Sequence, residues 1–337
     1  MLLNRRTFAI AVLGLCTLLS IVRNFTSQAG QVTSTLLIGG SKIDVTIESG
    51  EMELSQTELL HWAQSAAEAV ATYYGRYPVP RLQLRIIPVG GSGVRHGQTF
   101  GYDGGLIKIR VGKQTEAREV ANDWMLTHEM VHLSFPSVAD EHHWIEEGIA
   151  VYVEPIARIQ AKQMSGEQMW ADLVRDMPKG LPQEGDEGMD HTHTWGRTYW
   201  GGALFCFVAD VEIRKQTHNR KGLQDALRGI LDAGGNITHD WELTEAFKIG
   251  DRATGTTVLS EQYAKWKDKP AHVDLASMWK ELGIAAEGKS VRLREDAPLA
   301  GVRLAITAPA ASKKTDLEIS PTAVFAGRAS AASRPRS

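Results

Sequence analysis

Ile43, Val45 and Ile47 alternate with polar neighbours, the two-residue period of a half-buried strand, and with Gly39-Gly40 interrupting the stretch 35–47 the pattern predicts a hairpin. Ser55-Gln56-Thr57-Glu58 has the spacing of a reciprocal helix cap. It predicts a helix reaching about Tyr74, stopped by Gly75 and the Pro78-Val79-Pro80 breaker. Apolar runs at 82–89 and 106–111 read as strands, and the glycine-rich stretch 90–105 between them reads as a loop. Lys108 and Arg110 share one face of the second strand, which suggests a sheet edge or a cleft wall. After Gln114 the period lengthens to that of helices, at 115–135, 144–153, 199–215, 223–231, 241–248, 260–267 and 275–282. A strand-rich part followed by a helical part predicts an α+β fold, with lobes at about 30–114 and 115–307.

Composition changes this picture at the two ends. Arg5-Arg6 precedes an apolar run, 8–22, that is short for a membrane span, so 1–29 reads as an export signal. Asn4-Arg5-Arg6-Thr7-Phe8 resembles the twin-arginine signal, with the general secretory route and an uncleaved anchor as alternatives. The mature chain is then expected in the periplasm or cell envelope of a bacterium, touching a membrane only if the leader is kept. The Ala/Ser/Pro-rich segment 308–337 reads as a disordered tail. The 337 residues carry a formal net charge of −3, and the leader holds three arginines and no acid, so without it the charge falls to −6, which argues against a nucleic-acid partner. Of the two cysteines, Cys16 lies in the leader; Cys206 is left in an apolar run as a core thiol, with no internal disulfide to form.

The chemistry concentrates at His128-Glu129-Met130-Val131-His132. Four residues advance a helix by about 400°, so both histidines leave one face in successive turns and can grip one ion. Glu129, about 100° away, flanks that ion as a general base would. With 11 His and 40 acids in 337 residues, roughly 0.04 such motifs arise by chance, so the motif needs a second feature beside it. That feature is Trp144-Ile145-Glu146-Glu147-Gly148-Ile149-Ala150-Val151-Tyr152, a second helix that can bring a carboxylate to the metal.

These two segments resemble the gluzincin metallopeptidases of the alanyl and glycyl aminopeptidase type, whose second helix carries W-x-x-E-G-x-A-x-Y; Trp144, Glu147, Gly148, Ala150 and Tyr152 match it. The resemblance covers about a third of the chain. It implies a thermolysin-like catalytic domain, one Zn2+ per chain held by His128, His132 and Glu147, and a peptide or protein substrate cleaved by metal-activated water. Fourteen residues separate His132 from Glu147 where those enzymes have eighteen, which keeps Glu146 as a rival ligand. His142 and His143 read as a polar loop, with ligation as the alternative. Glu154 lies two helical turns beyond Glu147, from where it can orient a ligand histidine; the alternative is a solvated glutamate where Pro155 ends or kinks the helix. Tyr199 opens a segment similar to the Y-x-K-G-A stretch of the same enzymes, implying an oxyanion donor, although Gly201 stands where they have lysine. His191, His193, Trp195 and Arg197 precede it, and His193 and Arg197 are expected in the substrate pocket. The G-x-M-E-N signature is absent. A zinc hydrolase acting on a non-peptide substrate, or a binding module that keeps the metal without turnover, would carry the same metal residues.

Overall fold

The computed structural model describes residues 31–101 and 103–308. The expected leader and all of the tail beyond Ala308 lie outside the described residues. The hairpin forms as β1 (Val32–Ile38) and β2 (Ser41–Ile47), antiparallel, with Gly39 at φ 55° and Gly40 at φ 83° supplying the two left-handed positions of a tight turn. Helix α1 (Gln56–Tyr74) starts with Ser55 and Glu58 capping one another and ends on Gly75 at φ 79°. It crosses over to β3 (Arg81–Val89), which runs parallel to β2. β4 (Val94–Phe100) and β5 (Leu106–Gly112) complete a sheet of order β1-β2-β3-β5-β4, with β4 antiparallel to β5 at the edge. Ile43, Val45, Leu82, Leu84, Ile86, Ile107, Ile109 and Val111 bury one face of it.

Two expectations fail in this half. The stretch 90–105 is not all loop, since it contains β4. The strand positions opposite Ile109 and Ile107 are Gly97 and Thr99, so the apolar alternation that would reveal a strand is missing. Nor do Lys108 and Arg110 mark an edge, because β5 sits between β3 and β4; the Lys108 ammonium lies 5.3 Å from the centre of the Phe100 ring instead.

The remainder is helical. The stretch 115–135 is two helices, α2 (Ala117–Ala121) and α3 (Met125–His132), because Asp123 accepts hydrogen bonds from the Met125 and Leu126 amides at 3.1 and 3.0 Å and caps the second. A short 3-10 turn (Asp140–His142) leads to α4 (His143–Gln160). Pro155 does not end α4: one backbone hydrogen bond is forfeited, but the helix is buried on both sides of the proline and continues. There follow α5 (Gly166–Asp176), a π-helical turn (Gly196–Gly201), α6 (Gly202–Thr217), α7 (Leu223–Asp232), α8 (Leu243–Thr254), α9 (Val258–Trp266), α10 (Leu275–Leu282), the hairpin β6 (Ile284–Glu287) and β7 (Ser290–Leu293), and α11 (Ala300–Thr307). The sequence reading missed α5, β6, β7 and α11. Cys206 is buried in α6, where desolvation pushes its thiol up. Among the described residues no helix is long and apolar enough to cross a membrane.

The contact that matters most for the site is between α4 and α6. A methyl group at Gly148 would lie 2.2 Å from the carbonyl carbon of Gly202, and one at Gly202 would lie 2.0 Å from the Trp144 oxygen. Only glycine on both helices permits so close a crossing. It brings the residue before Gly148, Glu147, toward the turn that precedes α6 and carries Tyr199.

Candidate metal centre

The His128 and His132 side chains leave α3 one turn apart, and their Nε2 atoms lie 3.2 Å from each other. Glu147 reaches them from α4, with Oε2 at 3.2 Å from His128 Nε2 and 3.6 Å from His132 Nε2. Among the described residues these three form a metal-ligand set, their donor atoms all within 4.8 Å of one another. Two imidazole nitrogens 3.2 Å apart and one carboxylate oxygen converge on a single point from two helices, a clustering of neutral and anionic donors that suits a cation, so the donor set fits a metal. Glu146 points elsewhere, its Oε2 accepting from His143 Nδ1 at 2.9 Å.

Electrostatics favour ligation by Glu147. Burial opposes its ionisation, but bonds from His128, His132 and His143 outweigh that and hold its carboxyl well below the usual range. Burial pulls His128 down; His132 is desolvated too, yet the bond to Glu147 wins and raises it. His143 heads α4 and stands between the two carboxylates, with Nε2 3.4 Å from Glu147 Oε1. Its bonds to Glu146 first and Glu147 second lift it to about 10. It therefore carries a proton at neutral pH and steadies the Glu147 oxygen that faces away from the histidine pair.

Glu129 is buried beside the cluster, and Thr99 of β4 lies 2.6 Å from its Oε2. A cleft of about 640 Å³ opens over these groups. Its lining runs along the edge strand from His96 to Gly101, takes in His128, Glu129, His132, His143, Glu146 and Glu147, and continues through Tyr199 to Ser137, Ile237, Thr238 and Asp240. Tyr199 is partly buried. Burial, then the charges of Glu147 and Glu129, push its phenol up to about 12, so it remains a donor at neutral pH. Trp195 stacks on it with ring centres 5.7 Å apart and planes at 25°.

Three other expected residues are elsewhere. Glu154 is engaged by Arg158 at 3.0 Å and orients no ligand: His128 Nδ1 is buried with no hydrogen-bond partner among the described residues. Arg197 is buried away from the cleft lining, with Nε 2.6 Å from Asp186 and a further bond to the Gly180 oxygen, so it serves packing rather than substrate. His193 is exposed and also outside the lining. His191 faces Asp268 at 3.2 Å, and His142 faces Asp190 at 3.1 Å in a network that Trp144 and Tyr263 share as donors. Thr99 and the 237–240 wall escaped the sequence reading, and His143, read as loop or ligand, is instead a partner of the ligand Glu147. The signal for that role was its place four residues before Glu147, on the same helix face.

No family model matches the chain, and no curated protein matches it. Solved structures do. An aminopeptidase N family protein from Idiomarina loihiensis superposes with a TM-score of 0.55 at 12% identity, over 75% of this chain and 49% of that one. An M1 zinc metallopeptidase from Deinococcus radiodurans gives 0.48 at 16% identity, over 73% and 52%. The chain spans about half the length of these proteins. At such identity the likeness to the Idiomarina protein is one of fold: an amino-terminal sheet followed by a helical part.

Proposed function

We propose that this chain is a zinc-dependent metallopeptidase with a gluzincin-like catalytic domain, hydrolysing peptide bonds in the cleft between the edge strand and the helices that carry the ligands. The observation that carries the reading is the joint presence, in one cleft, of the buried His128–His132–Glu147 set, Glu129 beside it and Tyr199 on the same wall. A zinc ion held by those three residues would supply Lewis acidity, polarising a carbonyl and acidifying water. Glu129 then takes the proton of the attacking water and passes it to the leaving amine. Tyr199 donates its hydroxyl to the oxygen that gains charge as the carbonyl is attacked. β4 lines the cleft as the edge strand of the sheet among the described residues, a template on which an extended peptide can lie by backbone hydrogen bonding.

Turnover of a mixed peptide library tests the proposal. Cleavage should disappear with a zinc chelator and return with added zinc. Glu129→Gln keeps size and hydrogen bonding but cannot take the proton, so it should lower turnover by about 10²–10⁴ and keep the metal. Absence of any chelator-sensitive cleavage would leave a metal-binding module or a hydrolase of other substrates. Export through the 1–29 leader belongs to the same proposal; recovery of the chain only in the cytoplasmic fraction of expressing cells would refute it.

A further inference from the structure

A general base must present one carboxylate oxygen in a defined direction, yet a glutamate has three rotatable bonds, and no other side chain of α3 is seen to hold Glu129. The constraint comes from the sheet. Thr99 Oγ1 lies 2.6 Å from Glu129 Oε2 and 2.9 Å from the Glu129 backbone oxygen. Two residues earlier on the same strand face, a methyl carbon added to Gly97 would stand 2.5 Å from both Cγ and Oε1 of Glu129 and 2.7 Å from its Cδ. The carboxylate therefore lies close against the β4 backbone at Gly97, with one oxygen held by the threonine hydroxyl. β4 is in turn paired to β5 along this stretch, Gly97 opposite Ile109 and Thr99 opposite Ile107, two fully buried side chains.

We propose that Thr99 is a positioning residue for Glu129. Its hydroxyl donates to Oε2 and fixes the plane of the carboxylate, leaving Oε1 to exchange the proton during peptide cleavage. The absence of a side chain at Gly97 is what lets the glutamate lie there. The sheet edge thus has a role in catalysis separate from any backbone pairing with substrate. This inference rests on the peptidase reading above.

The experiment compares Thr99→Val with Thr99→Ser in the zinc-loaded protein. Valine keeps the branched shape and removes the donor, so kcat should fall by about 10- to 10²-fold, as expected for a misplaced catalytic group, with KM, zinc content and melting temperature near wild type. Serine restores the hydroxyl and should recover most of kcat. In a crystal structure of Thr99→Val, the Glu129 carboxylate should leave its place beside Gly97. Wild-type kcat in Thr99→Val overturns the proposal, as does Thr99→Ser being as slow as Thr99→Val. A purely structural role would lower the melting temperature or raise KM in both variants. Should the wild-type protein cleave no peptide in a chelator-sensitive way, the peptidase reading fails instead, and the crystallographic position of Glu129 still decides whether Thr99 holds it.

Discussion

Gly148→Ala is a change of one methyl group whose consequences the α4–α6 crossing makes calculable. The new carbon would stand 2.2, 2.4 and 2.6 Å from the carbonyl carbon, Cα and oxygen of Gly202. All three are backbone atoms, so no side chain can swing aside. Carbon–carbon contact becomes favourable at about 3.5 Å, and the helices must therefore part by roughly 1 Å. Overpacking of this kind costs about 1–3 kcal/mol, offset by the ~1 kcal/mol that alanine gains over glycine in a helix. The net loss, up to about 2 kcal/mol, corresponds to a fall of up to about 8 °C in melting temperature for a domain of this size. The functional effect should be larger than the stability effect, because Glu147 adjoins Gly148 and Tyr199 sits in the turn leading into Gly202. Parting the helices moves the two away from each other, and a misplacement of about 1 Å can cost 10² in rate. Thermal melts and peptide turnover at a temperature well below the transition separate the two losses. A Gly148→Ala protein with wild-type melting temperature and turnover would refute the close crossing and its part in building the site.

Tyr199→Phe removes one hydroxyl from a ring held by Trp195, so packing and zinc content should persist while kcat drops by about 10²–10³ with KM little changed; unchanged kcat would send the search for the donor elsewhere along the cleft. Glu154 titrates differently from most carboxylates: burial, against the pull of Arg158, lifts it from 4.5 to about 7. The folded state then binds its proton more tightly than the unfolded chain, so this group contributes stability that is full below about pH 4.5 and lost as pH rises through 7, on the order of 3 kcal/mol. Glu154→Gln should flatten the fall in melting temperature between pH 5 and 8, and an unaltered slope would show that the carboxyl is not held in that environment.

The parts of the site that share a single helix were legible in the sequence, because helical period alone sets His128 and His132 on one face with Glu129 beside them. Glu147 came from the resemblance in the second helix, and the structure brings it to the same point, while Glu146 turns to His143. Helical phase does not say which neighbour a side chain meets. Glu154 shares the phase of Glu147, but Arg158, four residues on, takes it; Arg197 precedes Tyr199 closely, but Asp186 draws it inward. Thr99 lies on a strand whose inward positions are Gly97 and Thr99, a pattern with no apolar signature, so a residue that hydrogen-bonds Glu129 was read as loop. The helix break at Asp123 was hidden in the same way: an acid inside an apolar periodicity acts as a cap only through where its carboxylate folds back.

Whether His128, His132 and Glu147 hold one metal ion is decided by elemental analysis of the purified protein by mass spectrometry. Wild-type protein and Glu146→Gln should carry about one zinc per chain, and Glu147→Gln should be stripped of it, since Glu147 alone of the two carboxylates reaches the histidine pair. A fully folded wild-type protein that takes up no zinc, or a Glu147→Gln protein that binds it as tightly as wild type, would contradict the account.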